Sequence, residues 1–135
     1  MPVGTGRVLG AANATSACKY ITFNYTAALV TQKVFTAPIA CRVVSIQGVT
    51  RVAGSGGACT LAFYKAASAV AVGSGTLLHS GTFNVAGTAD TNQDLTLVPV
   101  DASLTLVPGD SIGYVLTGTA TDAVGAITIT VEPVA

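Results

Sequence analysis

Residues 104–116, LTLVPGDSIGYVL, show most directly how the chain is built. Apolar residues recur at every second position on either side of Pro108, Gly109 and Asp110, which is the period of a half-buried strand. Proline fixes φ, glycine accepts a positive φ, and aspartate can accept a hydrogen bond from the backbone of the turn. The stretch therefore predicts two strands joined as a hairpin, in which Asp110 serves the turn rather than acting as a catalytic acid.

Similar alternation on both sides of this hairpin predicts the remaining strands. They are expected at residues 20–25, 33–36, 41–52, 77–85, 94–98 and 127–132, with a further run that turns Cys59, Leu61 and Phe63 inward. In the longest run, Val44, Ile46 and Val52 are predicted to share one face, on which Gly48 marks a bulge or a bend. The Gly-rich residues 54–57 are predicted to join this run to the next as an antiparallel hairpin. Residues 66–75 are ambiguous: residues 66–71 fit one helical turn, whereas the later valines and glycines favour a loop or an edge segment.

Composition favours the same fold class. Charged residues make up 9% of the 135 residues, against about 25% in ordinary soluble domains. The 19 threonines are β-branched and suit a pleated sheet, while helix formers other than alanine are scarce. The sequence therefore predicts an all-β protein. We expect a single antiparallel β-sandwich or jelly roll of about eight strands at residues 20–135, after an extended N-terminal arm at residues 1–19.

The order of the charges is unusual, although their sum is zero. All six basic residues lie within residues 7–65, and all six acidic residues lie within residues 90–132. Two explanations remain open: early and late strands pair their charges within the fold, or the domain has one basic and one acidic surface suited to docking. A net charge of zero provides no overall basic field for nucleic acid, and no apolar run is long enough to span a membrane.

No set of residues matches a catalytic or cofactor-binding pattern. The single histidine, His79, has Ser80 and Asp90 nearby in sequence, but a catalytic triad depends on spatial geometry that such neighbours do not establish. Three widely spaced cysteines with one histidine lack the spacing of zinc ligands and of a disulfide framework. Residues 90–94 are rich in oxygen atoms and fit a solvated loop better than a weak calcium site. We therefore predict no catalytic residue, no cofactor and no metal.

Several segments together resemble the head decoration, or cement, proteins of tailed bacteriophages. The resemblance covers about residues 30–133 and rests on VFTAPIACRVVSIQGVTRV (residues 34–52), the Gly-rich connection, TLLHSGTFNVAGT (residues 76–88) and LTLVPGDSIGYVL. It is a likeness of pattern: strands rich in Thr, Val and Ala, a Pro-Gly-Asp turn before a late strand, and few charges. It transfers no functional residue, because this class of protein has no catalytic motif to match.

The resemblance implies a jelly roll on the capsid exterior of a virion, bound to the assembled major capsid protein and made in the cytoplasm of the bacterial host. It also implies a homo-oligomer, a homodimer in preference to a homotrimer, with no nucleic-acid or membrane partner. Such a protein stabilises the capsid because it binds only the assembled state. The alternative function is a receptor- or glycan-binding β-sandwich module of a phage tail or fibre.

Residues around the junction of the arm and the first strand are the candidates for contact with a partner. They are Arg7, Lys19, Tyr20, Phe23 and Tyr25. The arm could lie along a neighbouring subunit or add a strand to an exposed sheet edge. The aromatic residues could equally anchor the arm in the core of its own domain.

Overall fold

The computed structural model describes residues 19–134, which contain ten β-strands in two antiparallel sheets. In chain order the strands are β1 (Lys19–Tyr25), β2 (Gln32–Thr36), β3 (Cys41–Val52), β4 (Cys59–Ala66), β5 (Thr76–Leu77), β6 (Phe83–Asn84), β7 (Asn92–Asp94), β8 (Thr105–Leu106), β9 (Ser111–Gly118) and β10 (Val124–Pro133). A 3-10 helix at Val72–Ser74 and the helix α1 at Asp101–Leu104 have three and four residues, too few to cross a membrane.

The strand order is that of a jelly roll. One sheet has the order β2-β9-β4-β5 with β6 also paired to β4, and the other has the order β1-β10-β3-β7 with β8 also paired to β3. The chain is therefore a long antiparallel ribbon rolled into a sandwich, in which β1 pairs with β10, β2 with β9, β3 with β7 and β8, and β4 with β5 and β6. The all-β sandwich is confirmed, and the short strands β5–β8 fill only two strand positions, which accounts for ten strands where about eight are predicted.

The core lies between the two sheets and is formed by alternate residues of every long strand. Side chains with no exposed surface include Ile46, Leu61, Phe63, Phe83, Leu106, Ile112, Ile127 and Ile129. The rings of Phe63 and Tyr114 meet edge to face, with centroids 6.0 Å apart and an interplanar angle of 61°. Each of these large side chains contributes about 1.5–3 kcal/mol through burial, so the alternation itself supplies most of the stabilising energy.

The turn at residues 108–110 joins two sheets rather than two strands of one hairpin. The preceding strand β8 pairs with β3, whereas the following strand β9 pairs with β2 and β4 of the other sheet, so the predicted hairpin is wrong. The turn chemistry is confirmed. The Oδ2 atom of Asp110 accepts a hydrogen bond from the Val107 N–H at 3.1 Å, and Gly109 has φ of 95°.

The predicted hairpin between residues 41–52 and the run after residue 57 is also wrong. The two strands, β3 and β4, lie in different sheets and pair with β10 and β9 respectively. The Gly54 N–H donates to the Val85 carbonyl at 3.1 Å, and the Ser55 N–H donates to the Thr121 carbonyl at 2.9 Å. These bonds hold the glycine-rich connection across the end of the sandwich, so it does not reverse into a two-stranded turn.

Bulges in β3 change which of its valines face the core. The register with β10 skips a residue at Val44 and another at Arg51, so Val44 and Val52 are 42% and 48% exposed while Val43 is buried. Of the three residues predicted to share the inner face, only Ile46 lies there. Gly48 keeps a regular register opposite Ile127, so the bulge, one of the two distortions predicted for this glycine, does not occur there.

The predicted strands at residues 77–85 and 94–98 are shorter than expected. Only β5, β6 and β7 form there, and a single bridge between His79 and Leu97 links the two segments. Gly81 interrupts the first segment because its φ of 67° does not fit an extended strand. Among the ambiguous residues 66–75, Ala66 ends β4, and the chain then forms a turn, with Ala69 at φ of 67°, followed by the 3-10 helix.

Close packing at Gly48 leads to a stability prediction. We expect Gly48→Ala to lower the free energy of unfolding by about 1–3 kcal/mol. The added Cβ would lie 2.6 Å from Ile127 Cδ1 and 2.8 Å from the Ala126 carbonyl oxygen. Urea denaturation measures the change. Gly73→Ala is the matched control, because its Cβ would meet only Val115 Cγ2 at 3.6 Å and should cost little. Equal losses in both variants would contradict the packing explanation.

Candidate functional site

Strand β1 carries four of the five predicted contact residues and forms one edge of its sheet. The structure separates these residues by exposure: alternation turns Tyr20 away from the core and Phe23 toward it, whereas Lys19, on the same side of the strand as Phe23, is exposed at the first residue of the strand. Lys19 and Tyr20 are exposed, and Tyr20 is 70% exposed, whereas Phe23 is half-buried and Tyr25 is buried. Arg7 and residues 1–18 of the predicted arm lie outside the described residues; β1 begins at Lys19, one residue before the predicted domain boundary.

Tyr25 is a core residue that fixes β1 to the sandwich. Its side chain is 3% exposed, and its hydroxyl shares a hydrogen bond with the Thr50 hydroxyl at 2.9 Å. The ring meets Phe83 edge to face, with centroids 6.1 Å apart. Burial raises the pKa of the Tyr25 phenol, so it remains a neutral hydrogen-bonding group. In the folded domain Tyr25 is therefore inaccessible to a partner.

Phe23 lies beside a cleft between β1 and β2. Its ring stacks on Tyr114 of the opposite sheet, with centroids 5.6 Å apart and an interplanar angle of 10°. The Gln32 Nε2 donates to the Tyr114 hydroxyl at 2.9 Å, which holds that ring in place. The cleft has a volume of about 360 Å³, and Asn24 and Thr26 are among its other lining residues. It combines an aromatic wall with amide and hydroxyl groups.

An apolar hollow of about 250 Å³ lies at the other end of β1. Lys19, Phe35, Ile39 and Cys41 are among its lining residues, and Ile39 is 54% exposed. Burial raises the pKa of the Cys41 thiol, which is therefore protonated at neutral pH. We call the side of the sandwich that bears β1, β2, the cleft and this hollow the open side. It is the part of the described surface on which the exposed members of the predicted contact set, Lys19 and Tyr20, lie.

The segregated charges are only partly explained by pairing within the fold. Both ion pairs found in residues 19–134 involve Arg42, which contacts Asp101 at 3.1 Å and also Glu132. Lys65 Nζ donates instead to the carbonyls of Ala102 and Thr105, each at 2.9 Å. Ion pairs between basic residues early in the chain and acidic residues late in the chain therefore occur, but at a single basic residue of the described chain.

His79 is a structural residue of the sandwich. It is fully buried, its Nε2 accepts a hydrogen bond from the Phe63 N–H at 2.9 Å, and its Nδ1 lies 3.1 Å from the Ser80 carbonyl oxygen. Because Nε2 accepts, the proton is on Nδ1 and is donated to Ser80. Both ring nitrogens are occupied by backbone groups, which leaves neither free to act as a base on a substrate.

The site of His79 predicts loss of stability in acid. Burial lowers its pKa below the ordinary value of 6.5, so the unfolded chain binds a proton more readily than the folded one. The free energy of unfolding should therefore fall as the pH drops below about 6.5, by at most about 1.4 kcal/mol per pH unit. Urea denaturation between pH 7.5 and 5 would measure this slope. In His79→Gln, which cannot titrate, the slope should be shallower; identical slopes would exclude His79 as the cause.

Metal ligands do not converge within the described part of the chain: no three His, Cys, Asp or Glu side chains of residues 19–134 are grouped as a metal site would need. Asp90, from the oxygen-rich segment, adopts φ of 59° in a turn, and its N–H donates to the Thr50 carbonyl at 2.6 Å.

The chain is similar in fold, but not in sequence, to a chain of a known virus capsid. No protein-family model and no curated protein sequence matches it. A chain in the structure of the cyanophage Pam1 capsid asymmetric unit has 12% sequence identity and a TM-score of 0.51, over 87% of this chain and 84% of that chain. At this identity the similarity is one of fold alone.

Two further solved structures have lower TM-scores. One, described as Bacillus endospore appendages that form a family of disulfide-linked pili, has 19% identity over 87% of this chain and 86% of that chain, with a TM-score of 0.37. The other, infectious bursal disease virus strain Gx, has 19% identity over 86% of this chain and 30% of that chain, with a TM-score of 0.34. These TM-scores are too low to support a comparison of folds.

Proposed function

We propose that this chain is a structural protein of a phage virion that binds the outer surface of the assembled major capsid protein and stabilises the capsid. The observation that supports this function is the jelly-roll sandwich, whose fold is similar to that of a chain in a cyanophage capsid, with a TM-score of 0.51. In this role the protein acts by binding alone and carries out no reaction.

Capsid stabilisation follows from binding selectivity. A protein that binds the assembled lattice, but not free capsid subunits, lowers the free energy of the lattice and opposes its disassembly. The open side suits such contact because it has exposed aromatic and apolar groups beside two recesses that a partner's side chains can fill. We assign the preceding residues 1–18, with Arg7, to the same binding region.

Removal of residues 1–18 tests this assignment. The ten described strands begin at Lys19, so the truncated chain should keep its fold, while its binding to assembled capsids should weaken markedly. Co-sedimentation with purified capsids measures binding, and circular dichroism with thermal unfolding checks the fold. Undiminished co-sedimentation would exclude residues 1–18 as a binding element. Failure of the full-length chain to bind capsids would contradict the proposed function itself.

The cleft beside Phe23 favours a second candidate function, the receptor- or glycan-binding module of a tail or fibre. An aromatic wall combined with amide and hydroxyl groups is a surface suited to a sugar ring. The two functions differ in location and copy number. A decoration protein should be present in many copies on purified heads, whereas a tail module should fractionate with tails and bind host cells or their polysaccharide.

A further inference from the structure

Three of the four sheet edges in residues 19–134 are poor templates for another strand. Strands β5 and β6 have two residues each, and β7 and β8 have three and two. Strand β2 has five residues and contains Lys33, and its register with β9 is irregular between Ile112 and Gly113. Short length, irregularity and a lysine are features that protect an edge against pairing with another chain.

Strand β1, the fourth edge, is neither short nor irregular. Its seven residues pair with β10 without a register shift, from Lys19 opposite Val131 to Tyr25 opposite Gly125. It contains no proline, and its one charge is at its first residue, Lys19. Its outer edge has no strand partner among the described residues. A long, regular edge of this kind presents a row of backbone donors and acceptors to an incoming strand.

The side chains of β1 specify which kind of strand fits. Tyr20, Thr22 and Asn24 point to the exposed face of the sheet, whereas Ile21 and Phe23 are half-buried and point toward the core. An incoming strand must therefore have polar, uncharged residues on one face and apolar residues on the other. Strand β1 has this pattern itself, so a second copy of the chain satisfies the requirement.

We propose that β1 pairs antiparallel with β1 of a second copy across a two-fold axis at Thr22. A register centred on Thr22 pairs all seven residues, with Thr22 opposite Thr22, Ile21 opposite Phe23, and Tyr20 opposite Asn24. Like faces then meet, and no two charges of the same sign are directly opposed. A slip by one residue would set apolar residues opposite polar ones and turn the second sandwich to the wrong face of the sheet.

The paired edges form one continuous sheet through both copies, with the same surface used by each copy. Ile21 and Phe23, which are only half-buried in one copy, cover their counterparts in the partner. Antiparallel pairing also places the Lys19 end of one strand beside the Tyr25 end of the other, so the apolar hollow of one copy adjoins the cleft of its partner. Such a dimer does not depend on capsid binding and forms in the isolated protein.

Charge substitution at the two-fold axis tests the dimer in the full-length chain. Thr22 is exposed, so the monomer should tolerate Lys or Glu there, but two copies of either variant would oppose like charges. Sedimentation equilibrium should show a dimer for the unmodified protein and monomers for Thr22→Lys and for Thr22→Glu. An equimolar mixture of the two variants should restore a dimer, because Lys then faces Glu. The mixture also verifies that both variants are folded.

The matched controls are Thr117→Lys and Thr117→Glu, exposed positions on β9 in the other sheet, and they should remain dimeric. Three outcomes would overturn the proposal. The first is that the unmodified protein is monomeric up to its solubility limit, whereas the chain without residues 1–18 is dimeric. That result would identify residues 1–18 as the occupant of the edge. The second is a monomer in both forms, which leaves the edge for a different protein. The third is a dimer unaffected at Thr22, which would place the interface elsewhere.

Discussion

Each sheet of this domain has one apolar face, and the two faces leave water only by packing against each other. This constraint explains the path of the chain. Six connections, including those from β1 to β2, β3 to β4 and β8 to β9, carry the chain from one sheet to the other. The turn at residues 108–110 and the glycine-rich connection after β3 are both crossings of this kind. Aromatic contacts between the sheets, such as Phe23 on Tyr114, then fix their relative position.

The rolled ribbon also makes the two sides of the sandwich unequal. On one side the edges are the short strands β5–β8, which soon end in turns or loops. On the other side the longer edge strands β1 and β2 lie next to each other, and the inner side chains between them remain half-exposed. The cleft and the apolar hollow are consequences of that arrangement, because no further strand of residues 19–134 closes this side.

The local alternation of apolar and polar residues was sufficient to predict most long strands and the all-β class, because every second side chain of a strand faces the core. This alternation does not determine which sheet a strand joins, and both predicted hairpins are wrong for that reason. The bulges at Val44 and Arg51 arise from pairing with β10, which no local pattern in β3 reveals. In the candidate site, the alternation correctly places Tyr20 and Tyr25 on opposite faces of β1. The buried hydrogen bond of Tyr25 with Thr50, however, depends on another strand. The cleft joins two strands of different sheets and has no sequence pattern of its own.

The reactivity of the two buried cysteines depends on how far the sandwich has opened. Cys41 belongs to β3 in one sheet and Cys59 to β4 in the other, and both are free thiols. Burial raises the pKa of each, so neither reacts readily while the strands are in place. Cys41 lines the hollow of the open side, whereas Cys59 is fully enclosed between the sheets. Local fraying of the open side thus uncovers the first thiol, and only separation of the sheets uncovers the second, so their alkylation rates distinguish partial from global unfolding.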